Sequence, residues 1–367
     1  MKNKKTVASV MGLIIIIGLA FLITNKKSTI EEEIVFGSPS KTEGFSVVPT
    51  MDDIIIDNSA WVGTFQLVWN DLVNEVVHRD VIFTPQLQMV ENLNKQSFTT
   101  NMISDTYYYK KYGLKTLELK AEIEKGIKDK FNQESDILDL FDWSDNGLND
   151  PSNPNLDRYF FYVMLYRKFD FLHEFNNLEK GMFGKYNDIK YFGIDDSSKS
   201  ETRNQVEVLY YNSEDDFALL INTKSNDEVI FYKGPKGDTF KEIYDNMNLE
   251  TDKYNGNKNF SSVDKFKAPN LKFNELREYD ELSGKPFPTE KGEGEITKAV
   301  QTIQFYLNAK GGEIKSEAAI DSYTASSAPV DVSRNFSVDD TFVIFLREKG
   351  KELPYFASKV NDITKFQ

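Results

Sequence analysis

One span near the C-terminal end constrains this chain more than any other feature. Two apolar runs, Ile303-Gln304-Phe305-Tyr306-Leu307 and Thr341-Phe342-Val343-Ile344-Phe345-Leu346, flank small and polar residues from 311 to 333, where the only aromatic is Tyr323. Both runs are rich in β-branched and aromatic residues and are bounded by Gly, Asn and Asp, which predicts core strands. The span between them is too long for a hairpin turn, and a structureless loop above about 12–15 residues is either functional or disordered. It also carries a strand code. Alternate positions read Gly312, Ile314, Ser316, Ala318, Ile320, Ser322 and Thr324, all small, apolar or hydroxyl-bearing. The interleaved Glu313, Lys315, Glu317, Ala319, Asp321 and Tyr323 are mostly charged or large. A period of two marks a strand with one buried face. A loop that can also be a strand is a candidate switch.

At these residues the chain resembles the serpin family. A strand ending Phe305-Tyr306-Leu307-Asn308 runs into Ala309-Lys310-Gly311-Gly312-Glu313, similar to the serpin hinge. Then come the loop, Phe336-Ser337-Val338-Asp339-Asp340-Thr341-Phe342, Leu346-Arg347-Glu348, and a last strand in 354–362. Further matches are Thr84-Pro85 after a short strand, Leu165-Tyr166 in an aromatic strand, and 266–273. The likeness spans about residues 61–367 and is that of a divergent, shortened member; the Lys-, Asn- and Ile-rich usage points to an AT-rich bacterial genome.

The resemblance implies an α+β fold with large mixed and antiparallel sheets, several helices and an exposed reactive-centre-type loop over about 311–335. It implies a hinge at Gly311, Gly312, Glu313, Ile314, Ser316, Ala318 and Ala319, and a bond attacked near Thr324, Ala325 and Ser326. The implied partner is an extracellular serine protease. Its attack on the loop lets the loop insert into the main sheet while the acylated protease is distorted. The hinge departs from the inhibitory run of alanines, because Ile314, Lys315 and Glu317 interrupt it. A non-inhibitory envelope protein with a binding or structural role is therefore the alternative.

Residues 1–27 read as a targeting segment. Lys2, Lys4 and Lys5 precede an uncharged run from 6 to 25. A spanning helix needs about 17–25 apolar residues, against about 7–15 in a signal peptide. The expectation is an uncleaved transmembrane helix with the bulk of the chain outside, and a secreted protein with a cleaved signal as the alternative. Residues 28–58 read as a linker and 59–367 as the folded domain. Within that domain, 59–78 reads as a helix capped by Ser59, 81–85 as a short strand, 114–131 as a helix, 158–171 as a strand buried on both faces, 206–222 as a hairpin and 238–248 as a short helix.

Charge and composition exclude several functions. The net charge is −14, and the first 27 residues hold five lysines and no acid, which leaves −19 on the rest. Such a domain repels phosphate backbones, so no nucleic-acid partner is expected. With no cysteine there is no disulfide, thiolate metal site or cysteine nucleophile. The two histidines, His78 and His173, belong to no zinc or triad pattern. Gly234-Pro235-Lys236-Gly237 and Gly292-Glu293-Gly294 lack phosphate-loop spacing and read as turns. Asp195-Asp196 and Glu214-Asp215-Asp216 lack the alternation of a calcium loop. The expectation is a protein that is not an enzyme, with no cofactor and no metal.

Overall fold

The computed structural model describes residues 36–144, 157–290, 292–314 and 333–367. The chain divides into two compact units, 1–37 and 38–367. The anchor expected over 1–27 lies outside the described residues; among the described residues no helix is long and apolar enough to cross a membrane.

The folded unit begins earlier than expected. β1 (Phe45–Val47) pairs in parallel with β2 (Asn58–Val62). Ser40 donates to Asn274 O and accepts from Leu276 N, so residues 38–58 are part of the fold and not a linker. A three-residue strand is too short to leave a periodic signal. The helix expected from 59 starts later as well. Asn58–Val62 are buried as a strand, and the Ser59 hydroxyl donates to Ile56 O where a helix cap had been expected. α1 (Thr64–Leu72) follows and ends in a π-helical turn at Val73–Val77, which His78 closes in the left-handed region at φ 56°. Residues 81–85 form no strand; Asn94 bonds both the N–H and the C=O of Val81. Phe65, Trp69, Val73 and Val77 pack against α2 (Gln88–Asn94) through Val90 and Leu93, and against Tyr279, Leu282 and Phe287.

β3 (Tyr108–Leu114) lies in a stretch that reads as polar, because its Tyr and Lys side chains are half-exposed or, at Lys110 and Tyr112, exposed. α3 (Leu117–Phe131) is capped by the Thr116 hydroxyl, which accepts from Leu119 N. A helix of this length is marginal alone. Leu119, Ile123 and Ile127 bury against Leu138, Trp143, Phe160 and Tyr162, at about 1.5–3 kcal/mol per large side chain, and this holds it. The aromatic run is two strands, β4 (Tyr159–Leu165) and β5 (Arg167–Asp170), separated only by Tyr166. It is buried at alternate positions, not on both faces throughout.

β6 (Asn176–Phe183) and β7 (Tyr186–Ile194) form a bulged hairpin. After α4 (Ser200–Asn204) come β8 (Val206–Ser213), β9 (Asp216–Asn222) and β10 (Asp227–Lys233). α5 (Phe240–Lys253), longer than expected, is followed by β11 (Lys265–Pro269), β12 (Leu271–Glu278), β13 (Pro286–Thr289) and β14 (Gly292–Glu295). The chain ends with β15 (Val300–Leu307), β16 (Gly311–Ile314), β17 (Asn335–Ser337), β18 (Phe342–Glu348) and β19 (Phe356–Val360).

Among the described residues the largest sheet has seven strands, ordered β1-β2-β19-β18-β10-β9-β8. A second sheet runs β12-β15-β16-β5 and a third β17-β11-β7-β6. β10 and β18 are central and almost wholly buried, as the apolar runs Val229-Ile230-Phe231 and Phe342-Val343-Ile344-Phe345-Leu346 require. The second sheet stacks on the first through Phe305 and Phe356, whose rings lie 4.6 Å apart, and through Phe273 against Phe366 and Phe45.

Candidate functional site

The site starts from a short turn. After β15, Asn308 N donates to Gly311 O at 2.9 Å and the Asn308 side chain accepts from Lys310 N. The chain reverses into β16, which pairs antiparallel with β15 (Leu307 opposite Gly312) and with β5 (Gly312 opposite Phe169, Ile314 opposite Arg167). Gly311, Gly312, Glu313 and Ile314, expected to begin the hinge, are therefore a strand seated between two others, which corrects the expectation of an exposed loop from 311. Glycine permits this. Gly311 has φ +154°, and a Cβ there would lie 2.1 Å from Phe169 O. A Cβ on Gly312 would lie 2.6 Å from the Phe169 ring and 2.7 Å from Tyr306 O. The alternation holds at this end: Gly312 and Ile314 are buried and Glu313 is half-exposed. Ile314, one of the residues that interrupt the alanine run, is part of the main core at 5% exposure. Ser316, Ala318, Ala319, Thr324, Ala325 and Ser326 lie outside the described residues.

Below β16 the sheet is parted. In an extended strand successive N–H groups point to opposite edges. Tyr166 N bonds Tyr107 O on the β3 side, whereas Phe171 N, five residues on, bonds Lys310 O on the hinge side. β3 and β16 thus lie on opposite edges of the β4–β5 strand. β3 fills one edge of β4 from Tyr159 to Leu165, and β12 fills one edge of β15 from Val300 to Leu307. Among the described residues no strand pairs with the other edge of β4 or with β15 over 300–305.

The wall of this slot is tied to the rest of the fold by Gln301 of β15. Its Nε2 donates to Val62 O at 3.2 Å and to Thr64 Oγ1 at 3.0 Å, and its Oε1 accepts from the buried Tyr279 hydroxyl at 2.7 Å. A buried amide with every partner present fixes the position of a strand. Gln301→Leu leaves the Tyr279 hydroxyl and Val62 O without a partner and is expected to cost about 1–3 kcal/mol. Calorimetry should show a midpoint lower by a few degrees, with part of the loss recovered when Tyr279→Phe is added.

The far end of the span is fixed differently. Arg334 precedes β17, which pairs in parallel with β11. Its backbone N–H and Nη2 both reach the buried Asp264 carboxylate, at 2.9 and 2.6 Å, and Nη2 also donates to Asn259 O. Burial pushes the Asp264 carboxyl up, but the hydrogen bonds from Arg334 and Ser261 outweigh it and hold the group below the usual carboxylate range. The described chain thus stops in one sheet at Ile314 and resumes beside another at Arg334.

Sequence reasoning missed this clamp, Gln301 and a buried charge, Arg167. Arg167 alone carried a signal, as a cation inside an aromatic run. No group of three or more His, Asp or Glu suited to a metal ion occurs among the described residues.

No family model matches the sequence, and no curated protein matches it. Solved structures do. Serpin48, described as a highly specific serpin in the insect Tenebrio molitor, overlaps with a TM-score of 0.46 at 15% identity, over 83% of this chain and 92% of its own. Thyroxine-binding globulin in complex with thyroxine overlaps at 0.43 with 13% identity, over 84% and 93%. A structure of the human globulin with the same ligand overlaps at 0.45 with 11% identity, over 84% and 92%. The chain is similar in course to these proteins; overlaps of this size say nothing about activity.

Proposed function

We propose that this chain is a serpin-like protease inhibitor presented outside the cytoplasm, acting through the loop that follows β16. The observation that carries the reading is the seat of the hinge. Its first four residues are already a strand between β5 and β15, and the slot below them continues along β4 and β15. Ser316, Ala318, Ile320, Ser322 and Thr324 extend the same inward row, so cleavage near Ala325-Ser326 would free a segment whose side chains suit that slot. Lys315, Glu317 and Asp321 would face outward. Small residues at the cut suit a protease that prefers small side chains. The apolar run over residues 11–23 supports tethering by an N-terminal helix, or secretion if that segment is removed.

Incubation of the protein with elastase- or subtilisin-like proteases tests this. The expected result is a complex that survives SDS, its N-terminal fragment ending within two or three residues of Ala325. Cleavage at the same place with full turnover and no complex would defeat the inhibitor reading. The interruption of the alanine run by Ile314, Lys315 and Glu317 favours the second reading, a non-inhibitory envelope protein with a binding or structural role, since slow insertion lets an acyl-enzyme hydrolyse.

A further inference from the structure

Arg167 of β5, opposite Ile314 of the hinge strand, is fully buried and faces away from its own sheet toward the seven-stranded one. Its Nε lies 2.5 Å from Asp227 Oδ1 of β10, and its Nη1 donates to Glu348 Oε2 of β18 at 3.0 Å. Asp227 also accepts from the Tyr355 hydroxyl at 2.9 Å and from Ser225 Oγ at 2.7 Å. Glu348 accepts from the Ser104 N–H at 2.9 Å and from the Ser104 hydroxyl. Tyr107, which leads into β3, stacks on the guanidinium at 3.7 Å, and Tyr355 lies at 4.8 Å on it. One node thus fastens β5 and the entry to β3 to the centre of the other sheet.

The node is poorly built for stability alone. Two carboxylates share one cation, and Nη2 of Arg167 has no acceptor among the described residues. Buried ion pairs of this kind add little over a well-packed apolar core, yet separating them without replacement is strongly unfavourable. Such a group resists gradual displacement and gives two discrete positions. Any motion that widens the slot by carrying β3, β4 and β5 away from β15 must break it.

We infer that the Arg167–Asp227–Glu348 cluster is a latch between the two sheets, and that its release governs how readily the hinge strand leaves or extends its seat. The inference extends the loop reading but requires no protease.

The charges give the latch a pH dependence. Burial pushes the Asp227 carboxyl up, and Arg167 offsets this only in part. The closed latch therefore holds a proton on Asp227 more tightly than an opened, hydrated one. Its extra stability is fully present at or below the ordinary carboxylate range and is lost as pH rises through the raised value. Glu348 is pushed up by burial but brought below its usual range by the Ser104 hydrogen bonds and Arg167, so it stays ionised over that window. Tyr107 and Tyr355 are raised by burial and stay neutral. Arg167 is disfavoured by burial but raised by Tyr355, Asp227 and Glu348, and stays charged.

Amide hydrogen exchange on the full-length protein, corrected for intrinsic rates and followed from about pH 4 to pH 8, tests the latch. Exchange at 311–314 should quicken with rising pH in the unmodified chain and lose that slope in Asp227→Asn. In Arg167→Met it should be faster by about tenfold or more at 311–314 than any change at the β8–β9 hairpin, with Arg167→Lys between the two. An unaltered slope in Asp227→Asn overturns the inference, and that variant, matched in shape, serves if Arg167→Met fails to fold. Equal acceleration at both places, or none at 311–314, overturns it too.

Discussion

Cutting the chain near Ala325-Ser326 should raise its thermal midpoint by on the order of 10–30 °C. The slot sets this size. A strand entering beside β4 and β15 would form about ten new backbone hydrogen bonds, each with a net worth of about 0.5–1.5 kcal/mol. The sum is about 5–15 kcal/mol, and a domain of this size shifts by about 2 °C for each kcal/mol. Apolar burial by Ile320 adds to this, while ordering the segment opposes it. Scanning calorimetry of intact and nicked protein reads the difference directly. A nick that leaves the midpoint within a degree or two would show that the loop stays outside the sheet and would remove the basis for trapping a protease.

The strands that anchor the span were legible because their composition allowed nothing else. β15 and β18 carry β-branched and aromatic runs between turn residues, and the β8–β9 hairpin shows the same signature. α3 was legible from Leu119, Ile123 and Ile127 at four-residue spacing. The misreading at 59–63 has a physical cause: Trp61, Phe65 and Val68 keep helical spacing across a strand-to-helix change at Gly63, so the period overran the boundary. β1 and β3 escaped because one is three residues long and the other is dressed in Lys and Tyr. β6 and β7 left no clean alternation, since their pairing is broken by bulges.

The site was legible at its start only. The alternation that predicted a one-faced strand over 312–324 holds over its first three residues, Gly312 to Ile314. What holds the slot was not legible. Arg167 takes its meaning from Glu348, 181 residues on, and Gln301 from Val62, 239 residues away. No local pattern encodes a partner at that distance. The fold brings them together because two sheets stack, and only then does a lone charge in an aromatic run become a fastening.

Gly311→Ala should then be the most damaging single-atom change at the hinge. At φ +154° an L side chain is strained, and the added Cβ would stand 2.1 Å from Phe169 O, a backbone atom that cannot turn aside. Either β5 shifts or β16 leaves. Because β5 is fastened through Arg167 and Phe169 is buried, the four-residue strand should yield first. The expected cost is about 2–4 kcal/mol, a midpoint lower by about 4–8 °C, and loss of exchange protection at 312–314. Glu313→Ala, on the half-exposed face of the same strand, removes a side-chain hydrogen bond with Tyr306 but strains no backbone, and should cost about 1 kcal/mol. If the two substitutions prove equally mild, glycine is not what seats the hinge. The start of the loop would then be held only by its neighbours' side chains, and the nicked form should rise in midpoint as far with the Gly311→Ala substitution as without it.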